Sequence, residues 1–235
     1  MGKYKQFKTF IRKKLGLVGV GEFVKDPIYA NSKENWNSWF GNKKYLAGYV
    51  EPKRLASYEE FVSIMEQYGV FQGMSNVIDC GCGTGHLLLA ISKRYPHLTM
   101  TGTDFSEESI NVSKMYNEKA EFYKMDIYDI PQEENGKYDI VICSEVLEHL
   151  LYPNKAMLNL VDLLSDKGVV VLAVPNGRID TYTGHINFWS PESWKIFIEG
   201  NLDNDRFCFN HYLFNKNRNN LTIISRNSKY IKVKI

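Results

Sequence analysis

The stretch VIDCGCGTG, residues 77–85, decides the fold of this chain. It is an apolar run that stops at three closely spaced glycines, which is typical of a buried parallel strand ending in a tight loop. Glycine adopts positive φ without strain and lets a ligand come close to the backbone. Residues 86–94 have helical character, so the loop is predicted to present free backbone N–H groups at the start of a helix.

A carboxylate follows at the end of the next predicted strand, which covers residues 98–103 and leads into Asp104. A carboxylate at that point suits a ribose, because it accepts hydrogen bonds from both hydroxyls of the diol. The glycine spacing excludes two other nucleotide-binding loops. The chain lacks the phosphate loop G-x-x-x-x-G-K-[ST], and a dinucleotide loop would have a small residue in place of His86.

The order Asp79-x-Gly81-x-Gly83-x-Gly85 resembles motif I of the class I S-adenosylmethionine-dependent methyltransferases. The resemblance implies S-adenosyl-L-methionine as cofactor and S-adenosyl-L-homocysteine as its product. It also implies that Asp79 orients the amino-acid tail and that Asp104 binds the ribose. The alternative is a glycine turn in an unrelated α/β protein. The cofactor-binding residues predicted from this part of the chain are Asp79, Gly81, Cys82, Gly83, Thr84, Gly85, Asp104 and Phe105.

Helices and strands continue to alternate after Asp104. Ser106 is predicted to cap a helix that runs to Lys119, and Ser190 with Pro191 is predicted to open another helix. Strands are predicted over residues 121–125, 138–143 and 169–174, with a helix over residues 154–164.

The C-terminal part differs, because two strand-like runs, residues 206–214 and 221–225, are separated by a short polar turn. Such a pair must be an antiparallel hairpin, since a parallel pair needs a long crossover. The predicted fold is therefore α/β: a Rossmann-like, doubly wound, mostly parallel seven-stranded sheet with a C-terminal antiparallel hairpin, as in the methyltransferase family. Residues 71–235 are assigned to this domain.

Residues 1–70 are predicted to form an N-terminal helical and aromatic cap. Additions before the first strand commonly build the acceptor pocket in this superfamily, so we expect the aromatic side chains of residues 34–61 to lie over the cofactor. These are Trp36, Trp39, Phe40, Tyr45, Tyr49, Tyr58 and Phe61.

Residues 1–14 interleave basic and apolar side chains. One interpretation is a basic amphipathic helix that contacts a membrane surface. The other, which we prefer because the apolar face is narrow, is a helix packed on the main domain with a solvated basic side. A stripe that binds the phosphates of a nucleic acid is a third use of the same charges.

Further cofactor contacts follow from the resemblance. Asp126, at the end of the third strand, would receive the adenine amino group, and Ile127 would lie against the ring. Ser144 and Glu145, after the fourth strand, would border the methionine part. A different interpretation of Asp126 is a simple loop or helix-cap aspartate.

The residues after the fourth strand also raise the question of a metal. Glu145, Glu148 and His149 would share one face of a helix, and two carboxylates with an imidazole can bind a divalent cation. Three adjacent residues are a weak ligand signature, so we predict no metal. The alternative is that both carboxylates are solvated and that His149 packs locally.

The loop after the fifth strand contains Gly184-His185 and then FWSPE over residues 188–192. It resembles a ubiquinone-biosynthesis-like subgroup of small-molecule methyltransferases, in which this loop lies above the methyl group. His185 is therefore the candidate general base, because imidazole accepts a proton at neutral pH. The alternative is that His185 only braces the loop. His149 is the second catalytic candidate, followed by Asp180 and Tyr182.

The composition fits this function. The net charge of +2 gives no reason to expect a nucleic-acid partner, no apolar run has transmembrane length, and the four cysteines form no disulfide framework, which predicts a cytoplasmic protein. We predict methyl transfer to a small-molecule acceptor, with a hydroxyl on a sugar, a surface-glycan precursor or a phenol or quinone-like ring as the target. A small amine is the alternative acceptor. A nucleic-acid or protein methyltransferase and a non-catalytic cofactor-binding module are the competing classes.

Overall fold

The computed structural model, which describes residues 30–226, contains one seven-stranded sheet with helices on both faces. The strands are β1 (Asn76–Cys80), β2 (Thr99–Asp104), β3 (Glu121–Lys124), β4 (Tyr138–Ser144), β5 (Leu164–Pro175), β6 (Cys208–Phe214) and β7 (Asn219–Ser225). The helices are α1 (Lys33–Phe40), α2 (Lys43–Ala47), α3 (Pro52–Gln67), α4 (His86–Arg94), α5 (Glu107–Tyr116), α6 (Pro153–Asp162) and α7 (Pro191–Asn201).

The strand order is β3-β2-β1-β4-β5-β7-β6. Neighbouring strands are parallel from β3 to β5, whereas β7 is antiparallel to both β5 and β6. The order reverses direction between β1 and β4, which is where open α/β sheets bind ligands at the carboxyl ends of their strands. The predicted fold class, including the C-terminal hairpin, is confirmed.

Two apolar cores lie on opposite faces of the sheet, because consecutive strand residues point to opposite sides. In β1, Val77 belongs to the core covered by α3, α4 and α5, while Ile78 belongs to the core covered by α6 and α7. Both side chains are almost fully buried. The strand therefore has a continuous apolar sequence rather than an alternating one, as expected for a parallel strand covered on both faces.

The predicted helix starts are confirmed to within one residue, but two predicted ends are wrong. Helix α6 ends at Asp162 instead of residue 164, where β5 begins. The hydroxyl oxygens of Ser106 and Ser190 accept backbone hydrogen bonds three residues ahead, so both cap their helices. Helix α5 ends at Tyr116 instead of Lys119. Asn117 is extended, and its side-chain oxygen accepts from the Lys119 N–H at 3.1 Å, a local turn that competes with the helix.

Strand β5 is also longer than predicted, since it begins at Leu164 and not at residue 169. Leu164 pairs with Tyr138, and the register then shifts before Ile140 pairs with Val169. An irregular pairing of this kind has no alternating sequence pattern by which it could be recognised.

The segment after β4 is not the regular helix that the sequence suggested. Only Leu147–His149 forms a short 3₁₀ turn, and Glu145 has a φ of 59°. Glu145 therefore does not share a helix face with Glu148 and His149, and this prediction is wrong.

Helices α1, α2 and α3 precede the sheet, as predicted for residues 34–61. The boundary between residues 70 and 71 stays a prediction. Residues 1–14, with their proposed membrane, packing or phosphate roles, lie outside the described residues. No helix within residues 30–226 is both long and apolar enough to cross a membrane.

Candidate functional site

A cavity of about 600 Å³ opens at the carboxyl ends of β1, β2 and β4. Its volume lies in the range of small-molecule and cofactor sites. Most of the predicted cofactor-binding residues line it, together with one of the two catalytic candidates. These lining residues are Asp79, Gly81, Cys82, Gly83, Asp104, Phe105, Asp126, Ile127, Ser144, Glu145 and His149.

Three predicted site residues do not line the cavity. Thr84 is buried, and its hydroxyl is hydrogen-bonded to Nδ1 of His86 at 2.8 Å. Gly85 begins α4 with a φ of 72°, and a Cβ there would lie 2.9 Å from the Phe122 ring. His185 lies behind His149, while its neighbour Ile186 reaches the cavity wall.

The glycine loop uses its N–H groups internally. Gly81 and Cys82 both donate to the carbonyl of Thr103, at 2.7 and 2.9 Å, and Gly83 donates to Oδ2 of Asp104 at 3.1 Å. Gly85 donates to the Cys82 carbonyl at 2.9 Å. The prediction that the loop presents these groups free to a ligand is wrong. The loop instead contributes shape and fixes the carboxylate of Asp104.

Asp104 keeps accepting capacity for a ligand. Oδ2 accepts from the Gly83 N–H, and Oδ1 accepts from the Ser106 N–H at 2.9 Å. Each carboxylate oxygen has a second lone pair, so two hydroxyl groups can still be bound. Burial raises the pKa of Asp104 to about 6, against the opposing effect of the backbone hydrogen bonds from Ser106 and Gly83.

Asp79 has a different environment. It is 3% exposed and lines the cavity, and its carboxyl group, unlike its backbone in β1, has no hydrogen-bond partner among residues 30–226. Burial, and then the charge of Asp104, raises its pKa to about 7. A buried carboxylate without donors is unfavourable unless a ligand supplies them, and an ammonium group does so best.

One guanidinium faces these acids across the cavity. Arg54, at the start of α3, donates from Nε to the Tyr58 hydroxyl at 3.2 Å and lies 5.2 Å from the centre of the Tyr49 ring. Burial raises the pKa of Glu145 to about 7, and the charge of Arg54 opposes this. The guanidinium of Arg54 suits the carboxylate of an α-amino acid group, and the carboxylates of Asp79 and Glu145 suit its ammonium.

Sequence reasoning did not identify Arg54 as a site residue. The chain has 29 lysine and arginine residues, and nothing in the spacing distinguishes this one. One sequence feature could have pointed to Arg54 as a site residue: it precedes the first strand and lies within the predicted aromatic cap. Asn219, which donates to Oε1 of Glu145 at 2.7 Å, was missed as well.

A second cluster, the histidine cluster, consists of Glu148, His149 and His185. Oε1 of Glu148 lies 4.0 Å from Nε2 of His149 and 3.8 Å from Nε2 of His185, and the two ring centres are 4.7 Å apart. One donor atom from each residue falls within 4.8 Å of the others, a spacing that could hold a metal ion. The set differs from the sequence-based trio, because His185 takes the place of Glu145.

Hydrogen bonds assign the ring nitrogens in the histidine cluster. The Asn31 amide donates from Nδ2 to the Gly184 carbonyl at 2.8 Å, so its oxygen faces Nδ1 of His149, also at 2.8 Å. Nδ1 of His149 therefore carries the proton, and Nε2 is an acceptor. Nδ1 of His185 is 2.5 Å from Oδ2 of Asp180, which orients this ring in the same way.

Glu148 is the least satisfied group of the cluster. It is 1% exposed, and neither carboxyl oxygen has a hydrogen-bond partner among residues 30–226. Burial, followed by the charge of Glu145, raises its pKa well above the usual range. Burial and then the neighbouring His185 lower the pKa of His149 to about 3, so His149 is neutral and weakly basic.

The predicted aromatic cap lines the cavity only in part. Trp36, Phe40, Tyr49 and Tyr58 form part of its wall. Trp39 is 42% exposed and packs on Tyr45, and Phe61 is in the core against Phe214. The Trp36 ring is 5.1 Å from that of His149, edge to face, so it connects the cap to the histidine cluster.

Comparison with known proteins supplies the family. Residues 53–204 match the model of a methyltransferase domain family. This chain belongs to the methyltransferase domain family. The match covers the glycine loop, the charged residues Asp104, Arg54 and Glu145, and the histidine cluster. The membership predicted from motif I is therefore confirmed. The methyl donor of the class I family is S-adenosylmethionine, and the buried acids and the glycine cradle of this cavity fit that molecule.

Similar proteins agree at the level of fold and family. The ubiquinone biosynthesis O-methyltransferase of Vibrio parahaemolyticus is 31% identical over 135 residues, covering 56% of each chain. That of Bordetella avium is 32% identical over 117 residues, covering 48% of this chain and 47% of the relative. This chain therefore spans about half the length of these two curated relatives. The plantazolicin methyltransferase BamL, solved in complex with a triazolic desmethylPZN analog and SAH, has a TM-score of 0.65 at 14% identity, covering 88% of this chain and 100% of that one.

Proposed function

We propose that this methyltransferase transfers a methyl group from S-adenosylmethionine to a hydroxyl group of a small molecule. The observation that carries the proposal is that one cavity joins two parts. One part has opposite charges for an amino-acid group and a carboxylate for a ribose. The other part is the wall formed by Trp36 and His149, behind which His185 lies.

The methyl donor, S-adenosylmethionine, would lie along the sheet edge from β3 to β4. Asp104 would accept hydrogen bonds from the ribose hydroxyls, while Asp126 and Ile127 would contact the adenine. Asp79 and Glu145 would bind the ammonium of the tail, and Arg54 its carboxylate. When bound, the sulfonium supplies an electrophilic methyl group, and the protein's own task is alignment and exclusion of water.

The histidine cluster would handle the proton of the acceptor. We assign His185 as general base. Because it does not line the cavity, its Nε2 would take the hydroxyl proton through one water in the in-line displacement. Asp180 holds Nδ1 and stabilises the imidazolium that forms, as the carboxylate does in a His–Asp pair. Burial lowers the pKa of His149 to about 3, so we assign this residue to acceptor orientation at the cavity wall.

The acceptor is proposed as a hydroxyl for two reasons. A hydroxyl needs a base, and the structure places an oriented imidazole beside the cavity wall. The relatives from Vibrio and Bordetella are named as O-methyltransferases. An amine of low basicity would need no side-chain base, so it is the alternative acceptor. Of the described residues that line the cavity, only Arg54 and Lys155 are lysine or arginine, so the lining offers no reason to prefer a nucleic acid.

The test has two steps. Calorimetry should show S-adenosylhomocysteine binding far more tightly than NAD, and NAD binding the tighter of the two would overturn the donor assignment. Incubation with S-adenosylmethionine and matched pairs of phenols and anilines, followed by mass spectrometry, should then show methylation of the phenols. Methylation of the anilines alone would replace the hydroxyl with an amine, and binding without turnover of any acceptor class would support a non-catalytic module.

A further inference from the structure

Asn219 lies outside the cavity, on β7, behind Glu145. It is 8% exposed, and its Nδ2 donates to Oε1 of Glu145 at 2.7 Å. Glu145 has a φ of 59°, a conformation that costs free energy for a residue with a side chain and persists only where the surroundings impose it. Its carboxylate is therefore directed by its partners rather than by a regular element.

The direction of the Asn219 amide is itself determined by a neighbour. Nδ2 of Asn215 donates to Oδ1 of Asn219 at 2.9 Å, so the carbonyl oxygen is taken and the amino group must face Glu145. Asn215 is the first of three residues with positive φ, at 52°, 57° and 64°, that form the turn between β6 and β7. Asparagine tolerates this conformation better than most side chains.

The same turn also contacts the helix that carries Arg54. The Asn215 N–H donates to Oε1 of Glu60 at 2.9 Å, and Glu60 lies on α3. The β6–β7 turn is thus bonded on one side to the helix of Arg54 and on the other, through Asn219, to the carboxylate of Glu145. These are the two charges that face each other across one end of the cavity.

We propose that Asn219 is a positioning residue, through which the β6–β7 turn holds the carboxylate of Glu145 at the cavity wall, where Glu145 and Arg54 would bind the two charges of an α-amino acid group. The inference rests on the proposed function, because the amino-acid tail of S-adenosylmethionine is the ligand concerned. Asn219 does not touch the ligand, and its effect passes through Glu145. A ligand that lacks the amino-acid group should therefore be insensitive to this residue.

Two commercial probes separate the effects. S-adenosylhomocysteine has the tail, while 5′-methylthioadenosine shares the adenosine and sulfur but lacks it. Calorimetry of the full chain should show that Asn219→Ala weakens binding of S-adenosylhomocysteine about tenfold, as expected for the loss of one hydrogen bond to a charged group. Binding of 5′-methylthioadenosine should change less than about twofold, because its contacts do not include Glu145.

Asn220→Ala is the matched control. Asn220 is the next residue on the same strand, is 1% exposed, and donates to the carbonyls of Trp189 and Pro175 at 2.9 and 3.3 Å, away from Glu145. This variant should bind both probes as the wild type does. If Asn219→Ala folds poorly, Asn215→Ala in the half-buried turn tests the same selectivity more mildly. This variant should weaken binding of S-adenosylhomocysteine about threefold and leave binding of 5′-methylthioadenosine unchanged.

The outcomes are distinguishable. Selective loss of S-adenosylhomocysteine binding in Asn219→Ala or Asn215→Ala supports the positioning role. Equal loss for both probes, or equal behaviour of the position 219 and 220 variants, overturns it while leaving the proposed function in place. A wild-type chain that binds neither probe overturns the proposed function, and the inference with it.

Discussion

The substitution Gly81→Ala tests how the glycine loop is held. Gly81 has a φ of 83°, and an added Cβ would lie 2.3 Å from Cγ2 of Val146. The left-handed backbone costs an alanine about 1–2 kcal/mol. The contact is far shorter than the 3.5–4 Å that carbon atoms prefer, and such overpacking costs about 1–3 kcal/mol. We expect a total loss of about 2–5 kcal/mol in the free energy of unfolding.

The chain offers a control that separates the two causes. Gly136 has a φ of 75°, and nothing lies within 4 Å of an added Cβ. Gly136→Ala should therefore show only the backbone cost, about 1–2 kcal/mol. Val146→Ala removes Cγ2, so adding Gly81→Ala in that background should cost about the same as Gly136→Ala.

Urea unfolding followed by circular dichroism measures all four variants, and the double-mutant cycle isolates the contact. The expected coupling between positions 81 and 146 is about 1–3 kcal/mol. If Gly81→Ala costs no more than Gly136→Ala, or if Val146→Ala rescues nothing, then the packing of Val146 on the loop is not the reason for glycine at this position.

Three further predictions concern the site. Burial raises the pKa of Asp79 to about 7, so a bound ammonium should favour its ionised form, and affinity for S-adenosylhomocysteine should rise with pH through 7. Because burial also raises the pKa of Glu145 to about 7, calorimetry of Asp79→Asn should show this dependence weakened, and an unchanged dependence would exclude Asp79. His185→Gln should lower kcat on the order of 10²-fold and remove the acid limb of the pH profile of kcat/KM, whereas a limb retained in the variant would assign His185 to bracing the loop. Trp36→Ala, beside His149, should raise the acceptor KM several-fold with little effect on donor affinity, while Trp39→Ala, at an exposed position, serves as the control; equal effects of the two would refute the pocket assignment.

The sequence predicts the sheet well, because its strongest signals are local. The apolar runs of β1 and β4 and the serine caps of α5 and α7 each report on a few neighbouring residues, and all four elements begin within one residue of the expected position. Errors occur where a non-local contact decides the outcome. Strand β5 begins early because Leu164 pairs with Tyr138, a residue distant in sequence.

The candidate site shows the same division. Asp79, Asp104 and the glycines follow from a motif with fixed spacing. Glu148 could not be recognised as a buried group, because its surroundings come from the loop after β5. There the backbone N–H groups of Ile186 and Asn187 donate to the backbone carbonyl of Glu148. The role of Arg54 depends on α3 folding over the sheet edge, a tertiary contact that no local pattern records.

The internal hydrogen bonds of the glycine loop have a consequence for the choice of ligand inside a cell. ATP and NAD are recognised elsewhere by loops that offer N–H groups to their phosphates. Here the backbone N–H groups of Gly81, Cys82 and Gly83 already donate hydrogen bonds to Thr103 and Asp104. The surrounding wall carries the carboxylates of Asp79 and Asp104. At the loop a polyphosphate would therefore meet two carboxylates and none of these three N–H groups, so the cations that line the cavity, Arg54 and Lys155, are the donors left to it. The loop itself thus favours an adenosine whose tail ends in a cationic amine and whose sulfur is positively charged over a polyphosphate nucleotide.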